Sequence, residues 1–224
     1  MKHCRMVRAL TVALAAFILA VGLAVPVSAG PYEDGYAALS RGDYARALRL
    51  FRPLADQGNA LAQYSLGVMY TNGHGVPQDY AQAVAWYRKA ADQGLAAGQN
   101  NLGFIYTYGY GVPQDYTEAA RWYRKAADQG HANSQNSLGV MHAYGQGVPQ
   151  DYAQAVAWYR KAADQSWAAG QNNLGFMYNY GYGVPQDYTE AAKWYWKAAD
   201  QGDTTAQRNL ETLYTNGHAV RGRG

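Results

Sequence analysis

The chain repeats itself every 36 residues, nearly verbatim. The segment DYAQAVAWYRKAADQ, from Asp79 to Gln93, returns at Asp115, Asp151 and Asp187 with few changes. A fixed period of about 20–50 residues marks a solenoid, in which each unit is too small to bury its own apolar face and does so against its neighbour. Such a stack offers partners an extended surface.

Four full units run 59–94, 95–130, 131–166 and 167–202. In the first, Ala62, Leu66, Gly67 and Tyr70, and then Ala83, Trp86, Tyr87 and Ala90, recur at helical spacing and give each helix one apolar stripe. The intervening Asn72–Gln78 segment, NGHGVPQ, holds two glycines and a proline, which stop the first helix. Asp79 follows at an N-cap position, and Gly94 stands where a C′ residue takes positive φ. Each unit is therefore predicted to be two antiparallel helices of about 13 residues, roughly 20 Å long. Residues 30–58 read as a shortened capping pair: Tyr36 to Leu39, a turn at Ser40-Arg41-Gly42, then Asp43 to Asp56. Residues 203–218 read as a lone capping helix, and 219–224 as a disordered tail. The expected fold is all-α, with eleven helices. Units one and three, and units two and four, also share segments of their own, which superimposes a 72-residue period consistent with tandem duplication.

The first 29 residues stand apart. Lys2, Arg5 and Arg8 precede a nearly unbroken apolar run from Ala9 to Val25, and Val27-Ser28-Ala29 supplies small residues where a signal peptidase cuts. The expectation is a signal peptide cleaved before Gly30 and a periplasmic or secreted protein, with no stable membrane insertion afterwards. Removing those three cations from 19 Lys and Arg leaves 16, equal to the 16 Asp and Glu. The isoelectric point near 8.8 thus belongs to the leader, and a neutral remainder lacks the basic footprint of nucleic-acid binding. The one cysteine, Cys4, also lies in the leader, so packing rather than disulfides must stabilise the rest.

This pattern resembles the Sel1-like repeat family, relatives of the tetratricopeptide repeat with a longer inter-helix loop. In the first unit the resemblance is carried by Ala62, Leu66, Gly67, Tyr70, Gly73, Gly75, Val76, Asp79, Ala83, Trp86, Lys89, Ala90, Ala91 and Gly94, and it recurs in the other three. The resemblance implies a right-handed α/α solenoid of antiparallel helix pairs. It also implies an adaptor or scaffold of the exported bacterial type. Some secreted, cysteine-rich relatives bind or slowly hydrolyse β-lactams; they carry paired cysteines within the repeats, which this chain does not have. Departures from the repeat are His142 where sister units have Tyr, Ser166 where they have Gly, and Trp196 where they have Arg.

By similarity to tetratricopeptide repeats, the concave face is lined by first-helix residues 61, 64, 68, 71 and 72 and their counterparts at 36-residue steps. One column reads Tyr64, Asn100, Asn136, Asn172, Arg208; another reads Asn72, Tyr108, Tyr144, Tyr180, Asn216. An amide ladder beside a phenol ladder suits an extended peptide, since Asn both donates and accepts and Tyr is a rigid surface with a polar tip. The same side chains can instead bond between neighbouring units and stiffen the stack. Tyr110 and Tyr182, between glycines in the loop column of His74, Gln146 and His218, offer either a glycan-stacking edge or packing against the adjacent loop.

Motifs for chemistry are sparse. His74, His131, His142 and His218 show no paired spacing for a metal. Asp79, Asp115, Asp151 and Asp187 each read as the cap of their own helix, one repeat apart, not as a catalytic carboxylate pair. Lys89, Lys125, Lys161 and Lys197 close second helices, where the dipole favours a cation. Trp167 and Trp196 are apolar oddities that either anchor a partner or are buried. No nucleophile elbow, phosphate loop or dinucleotide fingerprint is present. The sequence therefore predicts a non-enzymatic scaffold, without cofactor, that binds a protein or peptide in the cell envelope. The rivals are a weak β-lactam-binding or hydrolysing protein and a cell-wall glycan-binding module.

Overall fold

The structure, a computed structural model, describes residues 30–218; the predicted leader and the 219–224 tail lie outside them. Eleven helices and no strand make up the described residues: α1 (Pro31–Ser40), α2 (Tyr44–Asp56), α3 (Ala60–Asn72), α4 (Tyr80–Asp92), α5 (Ala96–Tyr108), α6 (Tyr116–Asp128), α7 (Ala132–Tyr144), α8 (Tyr152–Asp164), α9 (Ala168–Tyr180), α10 (Tyr188–Asp200) and α11 (Thr204–Thr215). Each helix packs on the one before it and the one after it. This is the expected solenoid of helix pairs. The first helix begins earlier than expected, at Pro31 rather than Tyr36, because proline at the first helical position gives up an N–H that would have no partner there anyway.

The helix ends follow the sequence logic. Carboxylates of Asp79, Asp115, Asp151 and Asp187 accept the N–H groups of Gln82, Glu118, Gln154 and Glu190 at 2.9–3.0 Å, each such cap contributing about 1 kcal/mol. Gly94, Gly130 and Gly202 turn the chain at φ of 88–89°. In the third unit Ser166 makes that turn at φ 61°, alone among the described non-glycine residues in having positive φ.

Packing within each unit depends on a glycine in mid-helix. Gly67, Gly103, Gly139 and Gly175 lie under the rings of Tyr87, Tyr123, Tyr159 and Tyr195 from the second helix; a Cβ at Gly103 would stand 2.6 Å from the Tyr123 ring. Glycine here costs about 1 kcal/mol of helix propensity relative to alanine, offset by the ring it lets in. Leu66, Leu102, Leu138 and Leu174 are fully buried, and Trp86, Trp122 and Trp158 each close the cluster of the preceding unit.

A polar spine runs beside this core. Buried Gln63, Gln99, Gln135 and Gln171 donate to the carbonyls of Ala55, Ala91, Ala127 and Ala163 in the preceding second helix, at 3.0–3.3 Å. Their own carbonyls accept from Gln93, Gln129, Gln165 and Gln201 at 2.7–2.8 Å. Amides satisfied at both ends pin the register between units.

The long loops lie back on the previous unit. Tyr110 stacks on Tyr80 with ring centroids 5.1 Å apart, Tyr182 on Tyr152 at 4.9 Å, His74 on Tyr44 at 4.3 Å and His218 on Tyr188 at 4.2 Å. The loop column therefore packs, but on the first residue of the preceding unit's second helix rather than on a neighbouring loop, and Tyr110 and Tyr182 remain 39% and 40% exposed. The third loop presents Gln146 in place of a ring.

Candidate functional site

The odd-numbered helices α3 to α11 present one face built from the two sequence columns. The phenols stand out from it: Tyr108, Tyr144 and Tyr180 are 57%, 71% and 54% exposed. Asn72 is exposed at the end of α3, its amide returned to the Val68 carbonyl. Tyr64 is half-buried with its ring tilted against Tyr87, and Arg208 is exposed on α11.

The amide ladder does two things at once. The side-chain carbonyl of Asn100 accepts from the Ser134 hydroxyl at 2.9 Å, that of Asn136 from Asn173 at 2.8 Å, and that of Asn172 from Asn209 at 3.0 Å. Every rung is thereby tied to the next odd-numbered helix, as the stiffening reading requires. The Asn100 amide nitrogen turns to Asn101 at 3.3 Å, whereas those of Asn136 and Asn172 make no hydrogen bond among the described residues.

Two cavities open on this face, and they are copies of each other 72 residues apart. The smaller, about 340 Å³, lies between α3, α5 and the start of α7, with Tyr80, Phe104 and Tyr110 as aromatic walls and Asn72, Asn100 and Asn101 as amides. The larger, about 670 Å³, lies between α7, α9 and α11, with Tyr152, Phe176 and Tyr182 as walls and Asn172, Asn173 and Asn209 as amides. Of the nine residues singled out from sequence, Asn72 and Asn100 line the first and Tyr144 and Asn172 the second. Tyr64, Asn136, Tyr108, Tyr180 and Arg208 line neither. Tyr108 and Tyr180 stand beside the walls, their rings 4.7 and 4.6 Å from Phe104 and Phe176.

One substitution distinguishes the two floors. In the smaller cavity the Tyr87 hydroxyl is held 3.1 Å from Thr71; in the larger, Ala143 takes the place of that threonine beneath Tyr159. Burial pushes the Tyr87 phenol up to about 12 and the Tyr159 phenol upward as well, so both are neutral hydroxyls through the physiological range. Neither cavity is lined by an Asp, Glu, Lys, Arg or His.

The sequence reading placed the column of Phe104 and Phe176 on the concave face without naming either as a site residue, and it did not single out Tyr80, Tyr152, Asn101 or Asn173. The available signal was the alternation Val68, Phe104, Val140, Phe176 in one face column, which follows the 72-residue period.

Other candidates have structural roles. His131 caps α7 through Nδ1, and His142 faces Arg124 at 3.2 Å. Lys89, Lys125, Lys161 and Lys197 lie 3.9–4.5 Å over the rings of Trp86, Trp122, Trp158 and Trp194, a cation–π contact that the helix-dipole argument did not foresee. Trp196 is half-buried and donates to Tyr214 at 2.6 Å; Trp167 remains 38% exposed. No group of three His, Cys, Asp or Glu among the described residues is arranged to hold a metal ion, and no helix among them is long and apolar enough to cross a membrane.

Comparison with known proteins agrees with this architecture. The Sel1 repeat profile matches residues 27–59, 60–95, 96–131, 132–167 and 168–203, counting the shortened N-terminal pair as a repeat. A Sel1 repeat protein from Oxalobacter formigenes is similar at 34% identity, with a TM-score of 0.80 over 84% of this chain and 75% of that one. The c5321 protective antigen of uropathogenic Escherichia coli is 37% identical, with a TM-score of 0.56 over 86% of this chain; the chain spans 50% of that protein's length. A Sel1 repeat protein from Klebsiella pneumoniae, 22% identical with a TM-score of 0.54 over 82% of this chain and 91% of that one, shares the fold. No functionally curated protein matches the chain. With the repeat profile covering most of its length and a solved Sel1 repeat structure matching its helix stack, the chain belongs to the Sel1 repeat family.

Proposed function

We propose that this protein is an exported, non-enzymatic scaffold of the bacterial cell envelope that binds a protein or peptide segment through the face of its odd-numbered helices. The observation that carries this reading is the row of exposed phenols and inter-unit amides along α5, α7 and α9. Rigid aromatics present contact area at little entropic loss, and amide nitrogens left over from the ladder suit a peptide carbonyl. Sel1 repeat solenoids are typically protein-interaction scaffolds, which favours the same conclusion. The envelope location rests on the basic, apolar and small-residue segments of residues 1–29.

The test is capture of partners from intact cells by mild crosslinking to the tagged protein, followed by mass spectrometry and by N-terminal sequencing of the chain itself. The expected result is a chain beginning at Gly30 and a discrete protein partner. That partner should be lost when Tyr144 and Tyr180 are both changed to Ala, and kept when Lys125 and Lys161 are. Loss with the lysine pair and retention with the tyrosine pair overturns the assignment of the face. A chain retaining residues 1–29 overturns the leader.

A further inference from the structure

The 72-residue duplication copied a cavity as well as a sequence. Phe104, Tyr80 and Tyr110 in one copy correspond to Phe176, Tyr152 and Tyr182 in the other. The unit between them carries Val140 and Gln146 in the columns of Phe104 and Tyr110, so the aromatic wall is interrupted there and the two cavities are separate. With no Asp, Glu, Lys, Arg or His in either lining and with phenols neutral, a charged side chain entering would shed its water without meeting a counter-charge. Ring and bulky apolar side chains suffer no such loss and pack on aromatic walls.

Between the cavities, on α7, the Asn136 amide nitrogen makes no hydrogen bond among the described residues. Asn172, whose nitrogen likewise has none, lines the larger cavity. Donors one unit apart suit the carbonyls of an extended backbone. Helices in side-chain contact lie about 8–10 Å apart, so cavities two units apart are separated by roughly 16–20 Å. An extended chain rising about 3.3 Å per residue covers that in about five or six residues. A sugar would need a free ring face, yet Tyr110 stacks against both Tyr80 and Tyr108, and Tyr182 against both Tyr152 and Tyr180.

We infer that the two cavities are paired anchor sites for one extended, uncharged peptide segment carrying two ring or bulky apolar side chains about five or six residues apart. The larger cavity, where Ala143 leaves room beneath Tyr159, takes the bulkier anchor. This rests on the peptide-binding reading above and adds to it a spacing, a neutrality requirement and a polarity of anchors.

The experiment uses fluorescein-labelled peptides of Gly, Ser and Asn carrying either one Trp or two Trp at separations from about three to about nine residues. Binding to the purified protein is read by anisotropy. The expected affinity peaks at a separation of about five or six, on the order of tenfold above the single-Trp peptide, because the second anchor binds at high effective concentration. Phe104→Ala and Phe176→Ala should each abolish that gain, and replacing either Trp by Lys should do the same. Phe104 and Phe176 are 46% and 39% exposed, so neither variant opens a buried cavity, and unchanged melting curves verify the fold. Equal affinity at all separations, or a gain that survives both Phe variants, overturns the pairing while the peptide reading stands. Absence of binding by every peptide overturns both readings. Co-sedimentation with peptidoglycan that is lost in Phe176→Ala would then assign the cavities to a glycan.

Discussion

Changing Gly103 to Ala places a methyl carbon 2.6 Å from Tyr123 Cδ1, 2.7 Å from Cε1 and 2.8 Å from Cγ. The ring has nowhere to retreat: it is 5% exposed and packed with Leu138, Met141 and Trp158. Overpacking of this severity belongs at the upper end of the usual range of about 1–3 kcal/mol, while replacing a mid-helix glycine by alanine returns about 1 kcal/mol. The net expectation is a loss of about 1–2 kcal/mol. For a chain of this size that lowers the melting temperature by roughly 2–8 °C, measured by circular dichroism. The decisive version is a double-mutant cycle. In a Tyr123→Ala background the obstruction is gone, and Gly103→Ala should stabilise by up to about 1 kcal/mol, a reversal of sign worth about 2–3 kcal/mol of coupling. Equal destabilisation in both backgrounds would refute the claim that glycine is there to admit the ring.

Three further outcomes follow from the same geometry. Ser166→Gly should raise stability by about 0.5–1 kcal/mol in urea unfolding, because Ser166 sits at φ 61° where sister units have glycine and left-handed backbone costs other residues about 1–2 kcal/mol, less the extra freedom glycine gains when unfolded. Burial first, and then the Arg124 charge, lower the affinity of His142 for its proton, and burial does the same at His131; the neutral forms are favoured by the fold. Stability should therefore be full above roughly pH 6.5 and fall as pH drops below it. His142→Tyr, which restores the arginine-to-phenol contact seen between Arg160 and Tyr178 at 2.6 Å, should flatten that dependence in melts across the range. Deleting 95–166 should leave a folded helical protein by circular dichroism, because α4 and α8 are identical in sequence and the α4–α9 junction reproduces the α8–α9 one; deleting half a repeat should abolish folding.

Much of the fold was legible because it is local and repeated four times. The 36-residue period gave the pairs, Asp79 and its counterparts gave the helix starts, and Gly94 and its counterparts gave the ends. The site was less legible. Each cavity draws on three successive odd-numbered helices and the second helix between two of them, so its residues spread over more than one period of the sequence. Phe104 and Phe176 read as ordinary apolar face residues until the 72-residue alternation is followed down their column. Buried Gln63 and its counterparts look like surface residues because nothing local reveals that both ends of the amide are satisfied from neighbouring second helices. The amide ladder was read as binding or stiffening; Asn136 and Asn172 tie the stack with their oxygens, while their nitrogens make no hydrogen bond among the described residues.

Partners that meet the odd-numbered helices, as proposed, would be caught from that face alone. The most direct measurement places the same photo-crosslinking amino acid at two exposed positions of one unit, Tyr144 at the end of α7 and Ala157 on α8, and compares adducts formed in living cells. A discrete protein adduct is expected from position 144 and none from position 157. An adduct from 157 with none from 144 would contradict the proposal.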